Sequence, residues 1–264
     1  MSSGPMGRRM GWRPDLEDKS FLYDRAVPFS MAKAGELPER VDPRGKIVVK
    51  DQGQVGACSG FSRSSCMEAL ANGIGGQDQQ FSAMFCYLTG QQQDGLLGRD
   101  VGATISGGIK ASRSQGNCPE ELFPFPGQYV SQIPEKCWKP AMDHQLLAHA
   151  PVRSAEECRQ AIGSGYPVYL GVMWNQSMDT PVLEQYRNTG YAGGHAICLL
   201  GYVDDYFLML NSWGPQWGER GWARWHSRAV QQMIDAQNSE FFVVSEIEHP
   251  EPRAWDYEKM PLLG

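Results

Sequence analysis

Val49-Lys50-Asp51-Gln52-Gly53-Gln54-Val55-Gly56-Ala57-Cys58-Ser59-Gly60-Phe61-Ser62 is the stretch on which the reading turns. From Cys58 to Ala71, Phe61, Ser65, Ala69 and their neighbours give helical periodicity, and Asn72-Gly73 stops it. The thiol of Cys58 therefore opens a helix, where the partial positive charge of the first turn favours a thiolate. A second segment, Gly193-Gly194-His195-Ala196, lies 137 residues downstream and is followed by Leu210-Asn211-Ser212-Trp213-Gly214. If Ala196–Tyr202 and Tyr206–Asn211 form an antiparallel hairpin about Val203-Asp204-Asp205, paired positions sum to about 406 to 408, and His195 falls almost opposite Asn211. A carboxamide oxygen there would accept an imidazole N–H and leave the other ring nitrogen free for the sulfur. Cys58, His195 and Asn211 thus read as nucleophile, base and orienting amide. His144, His149, His226 and His249 have no comparable context.

A Gly-x-Cys-x-Gly pentapeptide alone would also suit an α/β-hydrolase nucleophile elbow. That elbow expects a strand running directly into the turn and an acid before the His. Here Asp51-Gln52-Gly53-Gln54 intervenes, and the amide Asn211 follows the His.

The first block resembles the papain-family Gln-Gly-x-Cys-Gly-Ser-Cys-Trp-Ala-Phe-Ser, and Asn211-Ser212-Trp213-Gly214-Pro215-Gln216-Trp217-Gly218-Glu219-Arg220-Gly221-Trp222 resembles that family's Asn-Ser-Trp-Gly block. The family places His and Asn about 130 to 150 residues after the Cys; the spacings here are 137 and 153. Leu37-Pro38-Glu39-Arg40-Val41-Asp42-Pro43-Arg44 resembles the start of its mature domain, and the likeness runs over residues 38 to 247. It implies an α+β, two-domain papain-like fold, with a helical side, a β-barrel-like side and the active-site cleft between them. The implied activity is thiol-dependent endopeptidase hydrolysis through an acyl-enzyme, with no cofactor and no metal. Gln52 matches the family's oxyanion-hole amide. Gly102-Ala103 stands where a Gly-Gly backbone pairs with an extended substrate. Thr104, Ile105 and Ala196 are candidates for lining the pocket of the second residue before the scissile bond, and Trp213 for shielding the His–Asn contact from water. The Trp that usually follows the nucleophile is Ser59 here. The same intermediate would also serve a transpeptidase or a deubiquitinase-like isopeptidase, and a peptide-binding pseudoenzyme is the non-enzymatic alternative.

The resemblance implies a peptide or protein substrate, and bulk properties argue against other classes of partner. A chain of 264 residues can bury a real core as one large domain or two smaller ones. A net charge of −6, with Arg8-Arg9 the one basic cluster, argues against nucleic acid. No apolar run approaches a membrane span, and no apolar h-region follows the basic pair, so neither a span nor a Sec signal is expected. The compartment is then cytoplasmic or reached by a non-Sec route. Seven cysteines contain no Cys-x-x-Cys pair, which gives a zinc site little support. Secreted relatives usually have a disulfide-forming Cys where Val55 stands, and its loss favours a reducing compartment.

Four segments are expected: a leader at 1–38, a helical domain with the nucleophile at 39–141, a β-rich domain with His and Asn at 142–250, and a tail at 251–264. Met1–Gly7 are set aside as the kind of remnant an expression tag leaves. Ile47-Val48-Val49 reads as a short strand, Phe81–Leu88 as a helix opened by Ser82, and Ile105–Ser114 as a helix ended by Gly116. Leu122-Phe123-Pro124-Phe125-Pro126 reads as a turn crossing toward the second half. Ser154-Ala155-Glu156-Glu157 is a capping box for a helix through Ile162, followed by strands at Tyr166–Val172, Ala196–Tyr202, Tyr206–Asn211 and Phe241–Ile247. Trp12, Leu16, Phe21, Leu22, Tyr23 and Phe29 are too many large apolar groups for a solvated tail, yet they have no regular period. Residues 8 to 36 are therefore expected to lie along the cleft as an intramolecular plug.

Overall fold

The computed structural model describes residues 7–14, 37–73, 78–188, 190–236 and 238–245. Leu16, Phe21, Leu22, Tyr23, Phe29, the end of the Phe241–Ile247 strand and the C-terminal tail lie outside the described residues.

Three helices carry the first half: α1 at Cys58–Ala71, α2 at Ala83–Gln93 and α3 at Ile105–Ser114. α1 is buried on every side rather than on one stripe, from Cys58 through Leu70. Small residues make this possible: a side chain on Gly60 would sit 2.4 Å from the Ala83 carbonyl oxygen, so α1 and α2 meet backbone to backbone. Two of the charged residues this buries find partners inside the protein. Arg63 donates to Asn117 at 2.8 Å and to the Gly116 carbonyl at 2.6 Å, while Glu68 pairs with Lys50.

Ser82 caps α2 by accepting the Phe85 N–H at 3.0 Å, as its sequence position predicts. The helix runs to Gln93 rather than stopping at Leu88, because Gly90 packs against Gly108 of α3 and has tertiary support. Gly116, at φ +73°, ends the α3 turn. Ile47–Val49 is not a strand. The segment lies between isolated bridges at Val41 to Tyr202 and Asp51 to Trp213, so its β-branched residues lack the partner strand that propensity alone does not supply.

The second half is a seven-stranded sheet in the order β1-β7-β2-β4-β5-β6-β3. Its strands are β1 Ala148–Pro151, β2 Val168–Asn175, β3 Val182–Leu183, β4 Tyr191–Val203, β5 Tyr206–Leu210, β6 Trp222–His226 and β7 Ser239–Ser245. All neighbours are antiparallel except β3 and β6. The sheet is open rather than closed. The short helix α4 spans Trp138–Ala141, α5 spans Ala155–Gly163 and α6 spans Ser227–Asp235. Ser154 caps α5 by accepting the Glu157 N–H at 3.1 Å. The Glu157 carboxylate accepts from the Arg153 N–H rather than closing the box on Ser154 itself. One core joins α1 and α3 to the sheet, and it includes Met10 and Trp12 from the leader.

Candidate active site

Cys58 is the first residue of α1, and Ala57 before it offers no side-chain cap, so the first turn keeps free N–H groups around the sulfur. The thiol is fully buried. Its Sγ accepts the Ala196 N–H at 3.4 Å and the Gly11 N–H at 3.3 Å. The first bond seats the sulfur against β4 next to His195, and the second comes from the leader.

His195 lies on β4 opposite Val172 of β2. Its Nε2 meets Asn211 Oδ1 at 2.8 Å. A carbonyl oxygen can only accept, so the neutral ring is protonated at Nε2 and presents Nδ1 as a lone pair. Nδ1 is buried and has no hydrogen-bond partner. Asn211 is aimed in turn: its Oδ1 also accepts the Ser212 N–H at 2.8 Å, and its own N–H donates to the Gly221 carbonyl. The hairpin pairs at the upper edge of the expected register, with a sum of 408 beside His195. Cys198 faces Leu210, and continuing that pairing puts Trp213, not Asn211, opposite His195. The imidazole accordingly stacks on Trp213 at 4.5 Å between centroids, and Trp174 meets it edge-on at 5.2 Å.

Gln52 is fully buried across the groove. Ser212 Oγ donates to its Oε1 at 2.6 Å, which turns Nε2 outward to donate to the Arg9 carbonyl at 2.9 Å and the Val55 carbonyl at 2.7 Å. Burial sets the protonation states. It pushes the Cys58 thiol up despite backbone N–H groups that pull the other way, and it pushes His195 down to about 4 against the Asn211 hydrogen bond. With the leader seated, the pair is a neutral thiol and a neutral imidazole, not the ion pair that the helix start alone suggests.

The leader passes through the groove as an extended strand. Trp12 N–H donates to the Gly194 carbonyl at 3.0 Å, Ala103 N–H to the Gly11 carbonyl at 2.9 Å, and Arg13 N–H to the Ala103 carbonyl at 3.2 Å. The Trp12–Ala103 pairing is parallel. Ala103 thus offers both backbone groups to an extended peptide, whereas Gly102 spends its N–H on Tyr87 and its carbonyl on Gln91. At φ +88°, with a Cβ that would lie 1.9 Å from the Gly11 carbonyl oxygen, Gly102 admits no other residue. Thr104 caps α3 through its hydroxyl. Ile105 and Ala196 are fully buried in the core that contains Trp12.

The model of the papain family of cysteine proteases matches residues 37–243. The chain belongs to that family, and it is a cysteine-type peptidase. It is similar to an uncharacterized peptidase C1-like protein of Acanthamoeba polyphaga mimivirus, 23% identical over 95% of this chain and 91% of that one. It is also similar to mexicain of Jacaratia mexicana, 28% identical over 71% of this chain and 87% of mexicain. Among solved structures, xylellain, a cysteine protease from Xylella fastidiosa, shares the fold with a TM-score of 0.77 at 23% identity, covering 91% of this chain and 98% of xylellain.

Several residues that shape this cysteine protease's groove carry no motif. Ser212 aims Gln52, and only its place in the Asn-Ser-Trp-Gly block marks it. Gly171 and Gly194 form a bed for Trp12. A Cβ on Gly171 would lie 2.2 Å from the indole, and one on Gly194 2.2 Å from the Trp12 carbonyl oxygen. The lone Gly171 inside its strand pattern and the Gly193-Gly194 pair before His195 were the available signals. Among the described residues no group of His, Cys, Asp and Glu could hold a metal, and no helix is long and apolar enough to cross a membrane.

Proposed function

We propose that the protein is an endopeptidase that hydrolyses peptide bonds through an acyl-enzyme on Cys58 and that its own N-terminal segment occludes the cleft. The observation that carries the catalytic assignment is the His195–Asn211 contact at 2.8 Å, which leaves Nδ1 unpartnered on the strand that holds the Cys58 sulfur. In the open enzyme Nδ1 takes the thiol proton. The thiolate attacks the carbonyl carbon, and the charge that develops on oxygen is met by Gln52 Nε2 and the Cys58 N–H. The imidazolium returns its proton to the departing amine. Water, deprotonated by the same nitrogen, then releases the acid and restores the thiol.

The occlusion rests on what the sulfur faces. It accepts an N–H from Gly11, and the carbonyl that Gln52 polarises belongs to Arg9, two residues earlier. What meets the sulfur is thus a leader N–H, which supports reading the segment as an inhibitor rather than as a substrate. Its burial of the site also favours the neutral pair, and tethering keeps its local concentration in the ~mM range. Two salt bridges flank it, Arg8 to Asp51 at 2.7 Å and Arg9 to Asp100 at 2.9 Å.

A chain beginning at Leu37 should hydrolyse a small peptide substrate faster than the full chain. The isolated 8-to-36 peptide should inhibit it competitively, and Cys58→Ala should abolish turnover in both forms. Unchanged activity in a truncated protein whose circular dichroism shows it folded would reduce the segment to a structural strap. Activity that survives Cys58→Ala would remove the nucleophile.

A further inference from the structure

Arg9 does two things at once. Its carbonyl oxygen accepts from Gln52 Nε2 at 2.9 Å, and its guanidinium Nη1 meets Asp100 Oδ2 at 2.9 Å. The residue whose carbonyl Gln52 polarises is, in the reaction above, the residue that becomes the acyl group. We propose that Asp100 is a specificity-determining residue that selects arginine, or a cation of that shape, immediately before the scissile bond. The inference rests on the peptidase reading and adds to it the class of substrate: peptides cleaved after a basic residue.

The carboxylate is built before any substrate arrives. Its Oδ1 accepts the Tyr87 hydroxyl at 2.9 Å and the Gly56 N–H at 3.0 Å, and Gly56 lies in the loop that leads into Cys58. The loop that presents the nucleophile therefore also fixes Asp100, and Oδ2, which shares the Gly56 N–H at 3.2 Å, is the oxygen that meets the cation. The Asp100 side chain is 14% exposed and that of Arg9 46%, so the pair is partly withdrawn from water without being a buried ion pair. A fixed acceptor facing a charged donor binds at little ordering cost on the protein side. The long arginine stem lets a guanidinium reach Oδ2 from a carbonyl held at Gln52, whichever way the peptide runs.

The second leader arginine is a useful contrast. Arg8 pairs with Asp51, which is 43% exposed, and nothing ties the Arg8 carbonyl to Gln52 or Cys58. That pair holds the leader, and Asp100 alone joins a charge to the reacting carbonyl. Asp100 would thus serve twice, engaging Arg9 in the closed protein and a substrate arginine in the open one.

The test uses the full chain and two peptidyl acyloxymethyl ketones identical except for arginine or isotope-labelled citrulline next to the reactive carbonyl. Citrulline keeps the size and most hydrogen bonds of arginine and removes the charge. Both probes compete in one tube, and the ratio of adducts on Cys58 is read by peptide mass mapping. Because both wait on the same leader opening, its rate cancels from the ratio. The arginine adduct should dominate about tenfold, the scale of a partly buried charge-assisted pair. In Asp100→Asn the ratio should fall to about one. That variant keeps an oxygen acceptor for Tyr87 and Gly56, so the loop stays in place while the charge is lost. A ratio near one in the wild type, or one unchanged in D100N, would overturn the proposal. Failure of both probes to label Cys58 would overturn the nucleophile assignment and this proposal with it.

Discussion

The base and the nucleophile are held in place by different means on the two sides of the groove. On the sheet side His195 sits among indoles: Trp213 stacks on it, Trp174 meets its edge, and Trp217 and Trp225 pack on Trp174 behind them. On the helical side Cys58 and Gln52 are set by small residues and polar contacts, with Asp100 on Gly56 and Ser212 on Gln52. Rigid aromatic packing fixes a ring plane. Hydrogen bonds fix the direction of a donor. The difference teaches where each side should fail: the sheet side through orientation of the base, the helical side through charge stabilisation and recognition.

The sharpest way to break this comparison is to remove one amide from each side. Gln52→Ala should lower kcat by about 10²- to 10³-fold, because a preorganised oxyanion donor acts only as charge develops. Asn211→Ala should lower kcat by a smaller factor, about tenfold to a hundredfold, since the Trp213 stack continues to hold the ring plane while the tautomer preference is lost. Both variants should keep the wild-type circular dichroism spectrum. The expected signature is the order of the two losses, measured on a chain freed of its leader. If Asn211→Ala cost more than Gln52→Ala, orientation by the aromatic cage would be the weaker device.

The same contrast explains what the sequence made legible. The groups proposed to react carry motifs because chemistry restricts them to particular residue types, and Cys58, His195, Asn211 and Gln52 were singled out on that ground. The helices α1 and α3 were readable because Asn72-Gly73 and Gly116 punctuate them. What escaped was set by tertiary pairing. β1, β3 and β6 were not read, and β6 lies between a turn and α6, where its pairing with β5 and β3 makes it a strand. α6 was missed although Ala229, Val230 and Met233 bury one face, a spacing that could have revealed it. Thr104 resembled a pocket residue, yet its hydroxyl is committed to capping α3, a role that sequence context fits equally well. Asp100 was invisible because its meaning depends on Arg9 arriving from 91 positions away in the chain.

A smaller effect should come from the leader's seat, which spans both sides. Trp12 is buried on Gly171 of β2 and Gly194 of β4, and its neighbour Gly11 packs against Gly56 before Cys58. Trp12→Ala should loosen the segment by the loss of a large buried ring, and hydrolysis of a small, uncharged-side-chain peptide by the full chain should rise about tenfold or more. Gly171→Val should act in the same direction, because a β-branched residue suits the strand while its Cβ would overlap the indole. Agreement of the two variants separates loss of the leader from damage to the sheet. A folded Trp12→Ala protein with unchanged turnover would mean the segment is held elsewhere, and the sheet-side bed would lose its role.

The last effect, read in a fluorescence probe rather than in turnover, is that of acid on the closed form. Burial holds His195 at about 4, below its ordinary 6.5, so the closed protein refuses a proton that an opened, solvated imidazole accepts. A pKa depressed by closure stabilises the closed form fully above 6.5, and that stabilisation is lost as the pH falls toward 4. Burial raises the Cys58 thiol, which has the opposite consequence: closure is weakened as the pH climbs past the ordinary thiol range. The closed form is therefore most populated between these limits. The Arg8–Asp51 and Arg9–Asp100 salt bridges also hold the leader, so the His195 contribution has to be isolated. The measurement is the pH-dependent fluorescence difference between the full chain and its Trp12→Phe variant from pH 7 to 4.5, repeated in a His195→Gln background. Wild type should show the indole becoming solvated on acidification, and the His195→Gln pair should show a shallower change confined to the carboxylate range. Identical curves in both backgrounds would assign the acid limb to the two salt bridges alone and leave the base side of the groove indifferent to closure.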